Sequence, residues 1–493
     1  MKFTNMKWSI ALTLLAAMAM PLGVAAQNNA SQLNKKKHHT YKVVDLGTLG
    51  GPGSVVSGLD HALPGQGTVV GGADTTDPNP NPGCLNPIFI PDCSVQHAFR
   101  WQNGVLTDLG ALPGGSNSFP FGINETGWVI GASENGVIDP ILGIPEIVAV
   151  LWRNGQIKNL GTLGGNESLA TDLNDRGRIV GFSSNSVTDP VSMFGFGTQT
   201  RPFIWEHGVM RDLGTLGGPD GVAFLMNERG QAIGQYFLNS TPNATTGIPT
   251  QDPILWEPGG TAVDLGTLGG TVGTTFWINN RGQVVGQSNL AGDATFHSFL
   301  WDRGVLTDLG TLGGNNSTAF ALNDAGEVAG RADVPGSKTH DAFLWKHGVM
   351  TDLGTPGGDP CSTANSINSQ GQIVGDAGVC FVGGRGWLWE NGGPIVDLNV
   401  LAIPGSGFHV GEAKLINDRG EIVCNGVLPN GDIHAILLVP QGDCDGKCED
   451  RIAESQIQPA AIPVRAMTSS LKAAMRARFA LRYRVPNSGS PNN

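Results

Sequence analysis

One short phrase recurs eight times along this 493-residue chain. It is intact as Asp45-Leu46-Gly47-Thr48-Leu49-Gly50-Gly51 and Asp212-Leu213-Gly214-Thr215-Leu216-Gly217-Gly218, and eroded in the last copy, Asp397-Leu398-Asn399. Periods of roughly 40 to 50 residues, each holding several short strands, restrict the fold to stacked copies of one unit, a propeller or a solenoid array, rather than one ordinary core. Such a repeat constrains shape far more than chemistry.

The unit around residue 300 displays the grammar. Phe276-Trp277-Ile278-Asn279 reads as a strand entering a turn at Asn280-Arg281-Gly282, and Gln283-Val284-Val285-Gly286 returns. His297-Ser298-Phe299-Leu300-Trp301 follows, then a turn at Asp302-Arg303-Gly304 and a last strand, Val305-Leu306-Thr307-Asp308-Leu309. This predicts four strands per unit, a to d, with glycine supplying the positive φ that closes each short hairpin. The first turn recurs at Asn124, Asn174, Asn227, Asn323, Asn368 and Asn417, and the strand-c tryptophan at Trp101, Trp152, Trp205, Trp256, Trp345 and Trp389.

The eighth unit stops after strand c, at His434-Ala435-Ile436-Leu437-Leu438, whereas a spare strand d, Tyr41-Lys42-Val43-Val44-Asp45, precedes the first unit. Joining the two removes both open edges. The prediction is an all-β, closed eight-bladed β-propeller whose N-terminal strand completes the last blade, with a seven-bladed ring or an open β-solenoid as alternatives. In that fold the b-c and d-a connections share a face. The b-c segments are long only in the first four units, at residues 74–96, 134–147, 184–200 and 238–251, and binding is expected there because loops vary on a rigid scaffold.

Residues 1–26 carry Lys2 and Lys7, an apolar run from Trp8 to Leu22, and Val24-Ala25-Ala26 ahead of Gln27, the pattern of a secretory signal peptide. No later run approaches the ~20 apolar residues of a membrane span. A basic linker over 27–40, the repeats over 41–440, a cysteine-containing linker over 441–463 and a basic tail over 464–493 complete the expected organisation. In the tail Met467, Leu471, Met475, Phe479 and Tyr483 fall at intervals of four among basic residues, as in a basic amphipathic helix ended by Pro486. Residues 41–440 hold 37 acidic and 17 basic side chains, a balance that disfavours nucleic acid as a partner of the repeats. Export permits disulfides. Spacing suggests Cys84 with Cys93, Cys361 with Cys380 and Cys444 with Cys448, leaving Cys424; zinc is disfavoured because the cysteines are dispersed and lack a paired C-x2-C framework.

The strings His97-Ala98-Phe99-Arg100-Trp101 and His297-Ser298-Phe299-Leu300-Trp301, with Asp-Leu-Gly-Thr-Leu-Gly-Gly and Ile-Asn-x-x-Gly-x-Val-Val-Gly, resemble the HAF-repeat family of probable extracellular bacterial proteins over nearly all of 41–440. The resemblance implies an exported repeat protein and brings no catalytic residues. In other units the histidine four places before the strand-c tryptophan is replaced by Val148, Arg201, Asp252, Asp341 or Arg385.

No G-x-S-x-G, H-E-x-x-H, Walker A or EF-hand string occurs, so no catalytic residue, metal ligand or cofactor is assigned. The recurring Asp45, Asp108, Asp212, Asp264, Asp308, Asp352 and Asp397 are expected to accept turn amides rather than ring a cation, because Asn159 replaces one of them and keeps the acceptor without the charge. The strand-c tryptophans are expected to pack between blades, which leaves the irregular Trp128, Trp277 and Trp387 as aromatic candidates for a ligand. Asp-Pro pairs mark the long segments. The candidate binding set is Asp77, Asp139, Asp189 and Asp252 with Trp128 and Trp277, calcium being the cation that its carboxylates would suit. The expected function is a secreted or periplasmic, monomeric, non-catalytic scaffold for an unidentified polymer, small ligand or protein. Two classes compete with it: a propeller enzyme acting on glycans as hydrolase or lyase through paired carboxylates, and a structural envelope or matrix protein.

Overall fold

The computed structural model describes residues 38–56, 62–65, 67–81, 93–336, 339–381, 383–390 and 392–455. The chain divides into residues 1–36 and 37–493, and every described residue belongs to the second part. The signal-peptide segment, the basic tail and Cys84 lie outside the described residues.

Eight four-stranded antiparallel arrangements are built in the order a-b-c-d. Unit 5 is Gly269–Ile278, Val284–Leu290, Phe296–Asp302 and Val305–Gly310, and a single parallel bridge, Gln251 to Val272, ties it to unit 4. Unit 8 is composite. Its strands a to c are His409–Ile416, Ile422–Val427 and Ile433–Asp443, and its strand d is His39–Asp45, with Val44 opposite Leu437.

The recurring phrase acts as a joint between units. In all eight copies its first side chain accepts the backbone N–H two residues on, as from Gly47 to Asp45 at 2.8 Å and from Gly161 to Asn159 at 2.7 Å. That is the turn-amide role, and it explains why asparagine is tolerated. The glycine so positioned offers its carbonyl to the serine opening strand a of the next unit: Ser118 Oγ donates to Gly110, Ser168 to Gly161, Ser317 to Gly310 and Ser362 to Gly354, at 2.6 to 2.8 Å. Each hydroxyl oxygen then accepts a strand-c N–H of the preceding unit, from Ala98, Ala149, Ser298 and Ala342. Ser54 does the same for Ala435, which links the first unit to the last. One residue before that position, which is Gly221 in unit 4, Asn117, Glu167, Asp220 and Asn316 catch the N–H of Gln96, Ile147, Thr200 and Phe296.

At the other end of strand a, Asn279 Oδ1 accepts the N–H of Arg281 and Gln283 while its Nδ2 donates to the Asn323 carbonyl of the next unit. Asn227, Asn323 and Asn368 repeat that link. The histidine of strand c meets the aspartate of the phrase: His97 to Asp108 at 3.0 Å, His297 to Asp308 at 2.9 Å, and His434, in the unit where Leu438 replaces the tryptophan, to Asp45 at 3.0 Å across 389 residues. Arg201 takes the histidine's place against Asp212 at 2.8 Å, and the fully buried Arg385 grips Asp359 with two bonds and Asp397 with a third. Where Val148 stands instead, the aspartate is Asn159.

Apolar side chains fill the spaces between neighbouring sheets. Phe99, Phe203, Phe299 and Phe343 are fully buried, with Trp101, Trp152, Trp205, Trp256 and Trp301 buried beside them. Trp152 and Trp256 donate Nε1–H to Gly110 and Gly214 of the preceding unit, so these rings are packing elements. Disulfides join Cys361 to Cys380 and Cys444 to Cys448, Cys93 is disulfide-bonded, and Cys424 is a buried free thiol. Past Pro440, where the sequence suggests a linker, strand c of unit 8 runs on to Asp443 and a helix, Gly446–Ser455, follows. Cys444, Cys448 and Ile452 there share a buried cluster with Leu398 and Leu401. No helix among the described residues is long and apolar enough to cross a membrane.

Candidate functional site

In units 1 to 4 the expected b-c loops are strand for much of their length. In unit 2 the strands Val129–Ile138 and Pro145–Arg153 pair at Glu134 and Ile147, shift register, and pair again at Ile138 and Pro145. Units 1, 3 and 4 do likewise at Pro78 with Ser94, Thr188 with Thr198 and Pro242 with Pro249. Backbone amides left over by the polypeptide's strand pairing must be satisfied locally. At the shift Asn135, Asn185 and Asn239 accept the N–H two residues on, and at the tips Asp139, Asp189 and Asn243 do so. The hairpins of units 2 to 4 are therefore arms with fixed bends.

Arms 2 and 3 enclose the candidate site. A cavity of about 230 Å³ lies between them, lined by Asp139, Ile141, Glu167, Ser184, Phe196 and Thr198 among others. Asp139 is buried, and it accepts N–H from Ile141 and Leu142 on one oxygen and Nδ2–H of Asn166 on the other. Glu167, also buried, accepts the Ile147 N–H on Oε2, and its Oε1 meets no donor. Burial, with Asp139 and Glu146 nearby, pushes the Glu167 carboxyl up to about 8. Asp139 stands within hydrogen-bonding reach, where it can accept the proton of a protonated Glu167. The next unit repeats the arrangement: burial and Asp189 push Asp220 up to about 7. Around these pairs the arms present apolar side chains to solvent, with Val137, Ile138, Ile141 and Val187 each more than half exposed. The tip of arm 3 turns inward, burying Met193 with Phe182, Val222 and Phe237, and Phe194 stacks on Phe182 at 4.4 Å.

The fold brings together only part of the candidate set. Asp139 and Asp189 fall at arm tips as turn acceptors, each facing a buried acid of the next unit. Asp77 is exposed on arm 1. Asp252 lies lower, on strand c of unit 4, where burial and Asp264 push it up to about 6. Trp128 is part-buried under Arg153, whose guanidinium lies 4.0 Å from the ring, and a Cβ on Gly177 of the next turn would meet that ring. Trp277 packs against two interface clusters, and Trp387 is fully buried in a third. Neither Trp128 nor Trp277 lines the cavity between arms 2 and 3. Glu167 and Asp220 escape a reading of motifs because each is one residue in a variable slot of the repeat. The available signal is that an acid stands where units 2 and 6 carry Asn117 and Asn316.

No known family profile matches the chain, and no curated protein matches it. Solved structures that are similar include TolB from Acinetobacter baumannii (12% identity, 64% of each chain covered, TM-score 0.32). Kuenenia stuttgartiensis hydrazine synthase matches at 10% identity over 58% of this chain and 44% of its own, TM-score 0.33. An oligogalacturonate lyase in complex with manganese matches at 9% over 60% and 83%, TM-score 0.33. The chain spans less than two thirds of the length of the first two. Scores and identities this low carry no activity across to this chain.

Proposed function

We propose that this chain is an exported, non-catalytic, closed eight-bladed β-propeller of the HAF-repeat type whose four arms bind a polymer, small ligand or protein. The observation that carries the reading is the confinement of the arms to units 1 to 4, where exposed apolar side chains surround a polar cavity on a scaffold jointed unit by unit. Closure is supported by the pairing of His39–Asp45 with unit 8, by the Ser54 and Ala435 joint, and by the contacts that strands a of units 2 to 8 make in succession. Disulfides fit a secreted or periplasmic location.

The glycan-enzyme reading has its best candidates in the two acid pairs. A glycosidase, however, separates its carboxyls by about 5 to 10 Å to admit substrate or water, and Glu167 and Asp139 are in hydrogen-bonding contact. The test is a thermal-shift screen of residues 27–493 against glycans, calcium and EDTA, repeated with arms 2 and 3 trimmed to short turns. A ligand that binds the native state raises the melting temperature. A shift abolished by trimming supports the arm face; a shift that survives trimming places binding elsewhere, and no shift favours the structural class.

A further inference from the structure

Unit 7 fills one of the inter-unit joints with sulfur. Where Asn117, Glu167, Asp220 and Asn316 catch a strand-c N–H with oxygen, Cys361 catches the N–H of His340 with Sγ at 3.4 Å. His340 occupies the strand-c place held elsewhere by Gln96, Ile147, Thr200 and Phe296. Both partners of the joint have therefore changed, and both have become metal-ligating residues. A disulfide accounts for Cys361 and Cys380. It gives no reason for an imidazole beside them.

The three donor atoms, one from His340 and the sulfurs of Cys361 and Cys380, lie within 4.8 Å of one another. His340 Nδ1 is 3.5 Å from Cys361 Sγ. Tetrahedral zinc, with bonds of ~2.3 Å to sulfur and ~2.0 Å to nitrogen, places such donors about 3.5 Å apart. The other ring nitrogen, Nε2, is 3.5 Å from Thr363 Oγ1, which can accept its N–H and leave the Nδ1 lone pair turned to the sulfurs. His340 is 3% exposed. Phe381, next to Cys380, lays its ring 4.9 Å from the imidazole on the solvent side, itself 75% exposed.

We propose that reduction of the Cys361–Cys380 disulfide turns this joint into a three-ligand site for a thiophilic d10 cation such as Zn²⁺, held by both thiolates and by His340 Nδ1. A dithiol supplies two electrons and two protons and leaves as its own disulfide. Zn²⁺ then displaces the two thiol protons, giving a neutral centre with a fourth position open. The proposal is independent of what the arms bind.

The experiment uses residues 27–493, reduced with dithiothreitol, desalted without oxygen and titrated with Zn²⁺ against a chromogenic chelator. Because Cys444, Cys448 and the disulfide of Cys93 are reduced at the same time, the readout is a difference: His340→Phe keeps a ring against Phe381 and removes the nitrogen. The reduced parent is expected to hold one more Zn²⁺ per chain than reduced H340F, and the same increment should vanish in the oxidised parent and in Cys361→Ser/Cys380→Ser. Co²⁺ should give a thiolate charge-transfer band in the reduced parent that weakens in H340F. Equal zinc in reduced parent and H340F, both folded by circular dichroism, would overturn the proposal.

Discussion

Glu167 shows how one residue changes the behaviour of a repeated joint. Asn117, at the same place in unit 2, accepts its strand-c N–H without charge, whereas Glu167 brings a carboxyl into contact with Asp139. Its folded pKa of about 8 lies above the unfolded value of 4.5. The native state thus holds a proton that the unfolded chain has released, and the stability this group contributes is intact below pH 4.5 and lost as pH rises to 8. Glu167→Gln keeps an acceptor for Ile147 and donates an amide N–H to Asp139. Urea unfolding is expected to show E167Q equal to the parent at pH 5 and more stable by ~1–3 kcal/mol at pH 8; equal destabilisation at both would refute the shared-proton account. Arg385 is the opposite case, a buried cation wholly matched by Asp359 and Asp397. Arg385→Ala strands two buried carboxylates and should cost about 3–5 kcal/mol in the same assay.

At the scale of elements, the joints explain why the phrase is kept while the arms vary. Ser317→Ala leaves the Ser298 N–H and the Gly310 carbonyl without partners between units 5 and 6. The expected loss is about 1–3 kcal/mol in urea, with arm-dependent binding unchanged. The N-terminal strand has a different task. Removing residues 38–46 deletes strand d of unit 8 together with Asp45, the partner of His434. The exposed edge of strand c then becomes a template for pairing, so this variant should self-associate in size-exclusion chromatography and lose the cooperative transition of the parent. A monomer with unchanged melting would show that this strand is dispensable.

For the whole molecule, several raised carboxyls act in concert. Burial and a second carboxylate push up Glu167 to about 8, Asp220 to about 7, and Asp252 and Asp341 to about 6. Each folded value exceeds its unfolded one, so each contribution falls as pH rises toward the folded value. His340 works in the other direction: its folded value of about 4 is below the unfolded 6.5, and its contribution is lost as pH falls between them. The melting temperature should therefore peak at about pH 5 to 6 and decline toward pH 8. A profile flat from 5 to 8 would show that water reaches these acids.

The repeats, the four strands per unit, the tryptophan packing and the spare N-terminal strand were legible because periodicity and turn chemistry are local: glycine, asparagine and aspartate at fixed offsets settle turns regardless of context. The turn-amide role of Asp45 and its equivalents followed from Asn159 for the same reason. The arms were less legible, since a Pro-rich, irregular stretch such as 134–147 hides its strand pairing behind a register shift. The polar side-chain contacts between units were not legible. Glu167 meets Asp139 from 28 positions on, and His340 meets Cys361 from 21 positions before it. The sequence alone determined what each unit looks like, because hydrogen bonding within a hairpin is short-range. Which acids meet and which cysteines gain an imidazole were decided only by the tertiary structure, because burial and proximity across sheet interfaces belong to the assembled units and to no one of them.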